Sequence, residues 1–179
     1  PYIVNFYDET VEFGEEKITG PLADDALDYY EYKLQSVTSI DSQKVYRIQV
    51  IDGAGLFPLF KGTVYIADST YALLKVDLSN NEAALPFAVD AINYKQRFTA
   101  FDDAADNKFW MPTDVQIYAE LSVAGLFKLQ GEGFTIVSNY GLNQAAPKGT
   151  FDDYVIKVMP DAKKDSAYWK DNQLVGSTK

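Results

Sequence analysis

The chain contains no histidine and no cysteine. Without cysteine there is no disulfide, no thiol nucleophile and no thiolate metal site. Without histidine the commonest general base and metal ligand is gone. Cations are scarce as well, with 16 Lys and Arg against 26 Asp and Glu and a net charge of −10. Phosphate backbones are bound by clustered Lys and Arg, so this balance argues against nucleic acid, and none is expected as a partner. It also argues against simple electrostatic attraction to an anionic membrane surface. No apolar run approaches the ~20 residues that a membrane-crossing helix needs. There is no internal repeat at a fixed period and no low-complexity tract, which argues against solenoids and propellers.

Catalytic signatures are missing in the same way. No Gly-x-Ser-x-Gly elbow and no Ser-x-x-Lys occurs, and Gly53-Ala54-Gly55 lacks the third glycine and following helix of a phosphate-cradling loop. Asp114, Glu120 and Glu132 offer carboxylates for glycoside hydrolysis, but nothing in the sequence brings two of them into a cleft. Asp102-Asp103-x-x-Asp106-Asn107 supplies several oxygens, yet it lacks the spacing and distal glutamate of an EF-hand and reads as a solvated hairpin loop. No metal, no cofactor and no enzymatic activity is expected.

What is present is apolar and patterned. Hydrophobic residues are 47% and aromatics 15% of the chain, too high for disorder despite the charge. A length of 179 residues fits a single core, read here as one β-rich domain over 1–175 with a frayed tail at 176–179. The start at Pro1, with neither methionine nor a signal-like segment, reads as a processed or excised piece of a longer protein.

Period-two alternation predicts strands at Asp28–Val37, Val45–Ile51, Phe60–Ala67, Tyr71–Leu78, Ile92–Phe101, Trp110–Leu121 and Phe127–Val137. Such alternation implies an antiparallel sheet with one apolar and one wet face. Tyr46, Ile48, Val64, Ile66, Leu74, Val76, Ile117 and Ala119 are expected on the covered face. In the last run the apolar positions switch from odd (Phe127, Leu129) to even (Phe134, Ile136), which predicts a bulge or bend at Gly131-Glu132-Gly133. The fold class expected is therefore mainly β, an antiparallel meander of seven runs curled into a half-open barrel with little helix. One turn at Ala23–Leu27 and a short helix within Asp161–Gln173 are the only helical signals. Residues 1–20 read as extended or irregular, with Phe6, Tyr7, Val11 and Phe13 available to cover the sheet.

A meander sends alternate loops to opposite ends. One end collects Ser39–Ser42, Asp68–Thr70 and Asp102–Asn107, all polar or acidic. The other collects Gly53–Leu59, Ala83–Phe87 and Ser122–Leu126, all apolar. Loops normally face water, so an apolar rim marks a contact surface. The candidate binding residues are Leu56, Phe57, Leu59, Leu85, Phe87 and Leu126. The alternative reading is that these side chains fold back and plug the end of the sheet.

Several phrases carry a resemblance. Asn5-Phe6-Tyr7-Asp8, Gly20-Pro21-Leu22-Ala23, Ala26-Leu27-Asp28-Tyr29-Tyr30-Glu31-Tyr32-Lys33-Leu34, Phe60-Lys61-Gly62-Thr63-Val64-Tyr65-Ile66 and Asp165-Ser166-Ala167-Tyr168-Trp169 are similar to an uncharacterised Gram-negative envelope family. Members join a carboxypeptidase-regulatory-like β-sandwich, a middle β-domain and an outer-membrane β-barrel, and this chain resembles the middle domain. Gly20 stands where that family pattern suggests serine. More distantly, Gly62-Thr63-Val64-Tyr65-Ile66 followed by Leu73-Leu74-Lys75-Val76 resembles the half-barrel of lipoprotein carriers. The resemblance implies a non-catalytic interaction or assembly module in the periplasm or on the periplasmic face of the outer membrane. Its partners would be neighbouring domains of the full-length protein or a membrane surface. The alternative it implies is a half-barrel that binds lipid or a lipoprotein acyl chain. It implies no catalytic residues.

Overall fold

The computed structural model describes residues 4–13, 16–53, 56–123, 127–145, 149 and 166–171. Contacts divide the chain into two compact units, Pro1–Tyr140 and Gly141–Lys179. That boundary falls inside the 1–175 span read from the sequence. The described part of the second unit carries one short helix, α1 (Ser166–Asp171), within the stretch where a terminal helix was expected.

The first unit opens with a hairpin, β1 (Thr10–Phe13) paired antiparallel with β2 (Glu16–Thr19). Of the two readings of residues 1–20, extended or irregular, Thr10–Phe13 and Glu16–Thr19 take the extended one and pair with each other. A 3-10 turn at Ala26–Asp28 then leads into seven strands. They are β3 (Tyr30–Ile40), β4 (Gln43–Asp52), β5 (Phe60–Ala67), β6 (Leu73–Asn80), β7 (Val89–Asp102), β8 (Lys108–Val123) and β9 (Phe127–Ile136). The strands pair in chain order, every pair antiparallel, and the outer strands β3 and β9 do not meet, so the sheet is a meander that is not closed into a barrel. The turn between β3 and β4 has Asp41 and Ser42 both at positive φ (48° and 65°), the two-residue geometry whose twist matches an antiparallel hairpin.

One face of this sheet packs under the N-terminal segment. Val4, Phe6, Val11, Ile18, Ala23 and Ala26 bury themselves against Val50, Val64, Leu73, Val76, Leu78, Ile92, Tyr94 and Phe98. At the centre three rings meet edge to face: Phe6 lies 5.2 Å from Phe60 and 5.5 Å from Tyr94, and Phe60 lies 6.0 Å from Tyr94. Gln96 anchors the segment from an otherwise apolar series; its Nε2 donates to the Val4 carbonyl at 2.5 Å and its Oε1 accepts from the Phe6 amide at 3.4 Å. Tyr7 adds a second clamp, its hydroxyl donating to the Leu73 carbonyl and accepting from the Leu73 amide.

Of the core expected from alternation, Val64 and Val76 are fully buried, and Ile48, Ile66, Ile117 and Ala119 pack half-buried against the same cluster. Tyr46 is half-buried and bonds through its hydroxyl to Asp68. Leu74 is a correction. The pairing of β5 with β6 shifts beside Tyr65 and Ile66, so Leu73 takes the place opposite Ile66. Leu73 joins the main core, and Leu74 joins a second small cluster with Val45 and Ala67.

The bulge expected at Gly131-Glu132-Gly133 is also corrected. Pairing of β9 with β8 runs without a shift from Phe127 opposite Val123 to Ile136 opposite Asp114. Phe134 and Ile136 therefore lie on the opposite face from Phe127 and Leu129; the face changes character while the strand stays regular. The register shifts fall elsewhere, at Leu34/Ser36, Tyr65/Ile66, Val89/Ala91 and Arg97/Phe98.

Two glycines are fixed by close backbone approach. Gly62 has φ +141° and a Cβ there would lie 2.3 Å from the Asp77 carbonyl oxygen. At Gly20 a Cβ would lie 2.4 Å from the Asp8 carbonyl oxygen, so a side chain there would require the backbone to shift.

Candidate functional site

The loops joining β4 to β5 and β6 to β7 lie at one end of the sheet, and a single buried side chain ties them together. Asn81 Oδ1 accepts from the amides of Leu59 and Ala84, each at 3.1 Å. Its Nδ2 donates to the Phe57 carbonyl at 2.8 Å and to Asp52 Oδ2 at 3.1 Å. The Asn81 amide also donates to the Leu59 carbonyl at 2.9 Å. A short 3-10 turn, Glu82–Ala84, begins at this asparagine because its side chain caps the turn.

From that fixed base three large apolar side chains project. Leu56 is 79% exposed, Phe57 61% and Phe87 102%. Phe57 touches the ring of Tyr29 edge-on at 6.3 Å between centroids. Phe87 is carried by a tight turn in which the Val89 amide donates to the Pro86 carbonyl at 3.1 Å, with Ala88 at φ 67°. An alanine in this left-handed region costs roughly 1 kcal/mol, and such strain persists only where the surroundings enforce it. Here the Ala88 carbonyl accepts from the Ser122 amide at 2.9 Å, which pins the turn to β8.

The other candidate residues divide. Leu59 is 2% exposed and belongs to the core, so its place on a contact surface is corrected. It precedes β5, where the chain has already turned inward. Leu85 is half-buried against the same core. Leu126 lies outside the described residues. The rim thus consists of Leu56, Phe57 and Phe87 standing on Leu59, Leu85 and Asn81.

The opposite end is polar and closed on itself. Asp103 Oδ1 accepts from the amides of Ala105 and Asn107 at 2.9 Å each, and Lys108 pairs with Asp102 at 3.2 Å. Arg97 pairs with Asp41 at 2.8 Å and Lys44 with Asp68 at 3.1 Å. Hydrogen bonds from Tyr46 and Lys44 hold the Asp68 carboxyl below the usual carboxylate range. Among the described residues no group of three or more acidic side chains has metal-site geometry.

Sequence reasoning missed one feature, a groove on the face of the sheet away from the N-terminal segment. It has a volume of about 380 Å³ and is lined by Asp77, Asn93, Lys95, Gln116, Tyr118 and Glu132. The residues were visible as the polar half of each alternating strand; that they line one groove follows only from the register. Glu120 stands beside it, accepting from Lys128 at 2.7 Å, Gln130 at 3.2 Å and Tyr118 at 3.2 Å. These bonds, led by the one from Lys128, hold the Glu120 carboxyl low.

The model of a family of unknown function, DUF5686, matches residues 2–140. The chain belongs to this DUF5686 family. The match ends where the first compact unit ends, at Tyr140, so it covers the whole meander together with its N-terminal cover. No curated protein and no solved structure matches the chain.

Proposed function

We propose that this DUF5686 domain is a non-catalytic docking module of the cell envelope, seating its apolar rim in the interfacial layer of a lipid bilayer. The observation that carries the reading is the exposure of Leu56, Phe57 and Phe87 on loops whose bases are fixed by Asn81. Burying one such side chain contributes about 1.5–3 kcal/mol. Three of them, set against the freedom lost on association, support a weak and reversible contact. The carboxylates of Asp41, Asp68 and Asp102 lie at the other end, pointing away from the lipid. Placement in the envelope, on the periplasmic side of the outer membrane, rests on the sequence resemblance alone.

The test is the double variant Phe57→Ser with Phe87→Ser, assayed by sedimentation with zwitterionic phosphatidylcholine liposomes. Thermal stability should stay nearly unchanged while liposome binding is lost. Unfolding of the variant would mean that the rim is part of the core. Loss of binding to a neighbouring domain, with no lipid binding by the parent, would move the contact from bilayer to protein.

A second reading, an acyl-chain half-barrel, is favoured by one feature of the covered face. Beyond the N-terminal segment, Ile117, Ala119 and Leu121 of β8 lie opposite Gly133, Gly131 and Leu129 of β9. A Cβ at either glycine would meet nothing within 4 Å, so the face is open and apolar there. Lipid retained in native mass spectra of protein from envelope extracts would favour this reading over the rim.

A further inference from the structure

We propose that the polar groove across β6, β7, β8 and β9 is a binding site for an uncharged polyhydroxylated ligand, an oligosaccharide. The register sets its floor in two rows: Asp77, Lys95 and Gln116 in one, and Asn93, Tyr118 and Glu132 in the next. Three inter-strand spacings separate β6 from β9, about 14 Å, a span suited to an oligomer rather than a single ring. The volume of about 380 Å³ falls in the range of small-molecule sites.

Two properties separate this groove from an ordinary solvated sheet face. The first is that neighbours that can pair do not. Asp77 and Lys95 stand directly opposite each other on β6 and β7, where opposite charges can pair, yet they make no ion pair among the described residues. The second is that the β8–β9 wall is already built. Gln116 donates to Glu132, Tyr118 donates to Glu120 at 3.2 Å, and Lys128 and Gln130 hold Glu120 in turn. One side is therefore held rigid by its own hydrogen bonds, while Asp77, Asn93 and Lys95 keep donors and acceptors for a ligand.

The chemistry of these groups selects the ligand. A sugar hydroxyl both donates and accepts, so it can pair at once with a carboxylate and with an amide or ammonium. Planar Asn, Gln, Asp and Glu side chains match neighbouring hydroxyls in a fork, and the half-buried Tyr118 ring offers a flat surface to the C–H face of a sugar ring. The six lining side chains are all polar or amphipathic, which disfavours a purely apolar ligand. Two carboxylates against one ammonium, in a chain of net charge −10, disfavour a phosphate or another anion.

The test is calorimetric titration of the full chain with chitotetraose, maltotetraose, cellotetraose and xylotetraose. Saturable binding of at least one is expected. Asn93→Ala and Tyr118→Ala should each weaken it by about tenfold, the equivalent of one well-made polar or stacking contact, with cooperative unfolding retained in both. Tyr118→Phe, which keeps the ring and drops the bond to Glu120, should retain most of the affinity. The rim variant Phe57→Ser with Phe87→Ser should bind sugar as the parent does. Failure of all four probes to saturate, or affinity untouched by Asn93→Ala and Tyr118→Ala, would overturn the proposal. So would binding of glycylglycine in their place, since the unpaired Asp77 and Lys95 would then be reading a zwitterion.

Discussion

Buried polar atoms differ sharply in what they contribute, and Asn81 and Tyr94 mark the two extremes. Asn81 makes four side-chain hydrogen bonds while 2% exposed, and three of its partners are backbone groups. Asn81→Ala leaves those groups unpaired and should cost about 2–4 kcal/mol. The hydroxyl of Tyr94 has no partner among the described residues, so Tyr94→Phe should be neutral or slightly stabilising. Urea denaturation of both variants checks the contrast. Tyrosine ionisation sets the alkaline limit: burial pushes Tyr7 and Tyr32 up to about 12 from 10.0, and raises Tyr30 and Tyr94 as well. The folded state keeps these protons where the unfolded chain has begun to lose them. The contribution of these tyrosines to stability is therefore complete below pH 10.0 and should fall as pH rises towards about 12. The share of the tyrosinate absorbance that belongs to Tyr7, Tyr30, Tyr32 and Tyr94 should appear together with loss of structure, not ahead of it. At this scale the sequence was partly legible: Gln96 stands out as a polar residue in the apolar series Ile92, Tyr94, Phe98, but its partners at Val4 and Phe6 lie 92 and 90 residues away.

Strands were read well where alternation ran for eight residues or more, as at β5, whose limits Phe60 and Ala67 agree with the expectation. The hairpin β1–β2 escaped because each strand has only four residues, too few to establish a period. Leu74 was misplaced for a related reason. In Ala72-Leu73-Leu74-Lys75 both parities are apolar, and the register shift that decides between them belongs to the pairing with β5. Phe87 and Phe57 were legible as rim residues because loop position alone brings them there, whereas Leu59 turned inward one residue before its strand. The groove could not be found from one strand at a time, since its residues come from four. The N-terminal segment is the element on which the core most depends. Phe6 is fully buried between Phe60 and Tyr94, and Phe6→Ala should cost about 3–5 kcal/mol, measured by chemical denaturation. The same variant should bind a hydrophobic dye if the cover lifts from the sheet.

The whole molecule is strongly acidic, and its charges and apolar tips are not mixed evenly. With net charge −10, approach to anionic vesicles is opposed, and this opposition is screened over about 10 Å at 0.1 M salt. Raising salt should therefore strengthen sedimentation with phosphatidylglycerol vesicles and leave phosphatidylcholine binding almost unaltered. The opposite salt dependence would mean that cations, not the rim, make the contact. The order of the chain has a consequence in time as well. Every strand of the large sheet pairs with its neighbour in sequence, so each hairpin can close soon after it is made, but Phe6 cannot meet Gln96 until 90 more residues have been added. At 5–20 residues per second that is a wait of roughly 5–18 s. Throughout it the cover is an apolar peptide without a sheet beneath it, and the half-made sheet is an apolar face without its cover. The core is therefore completed only once Gln96 has joined the chain and the sheet can receive Val4 and Phe6.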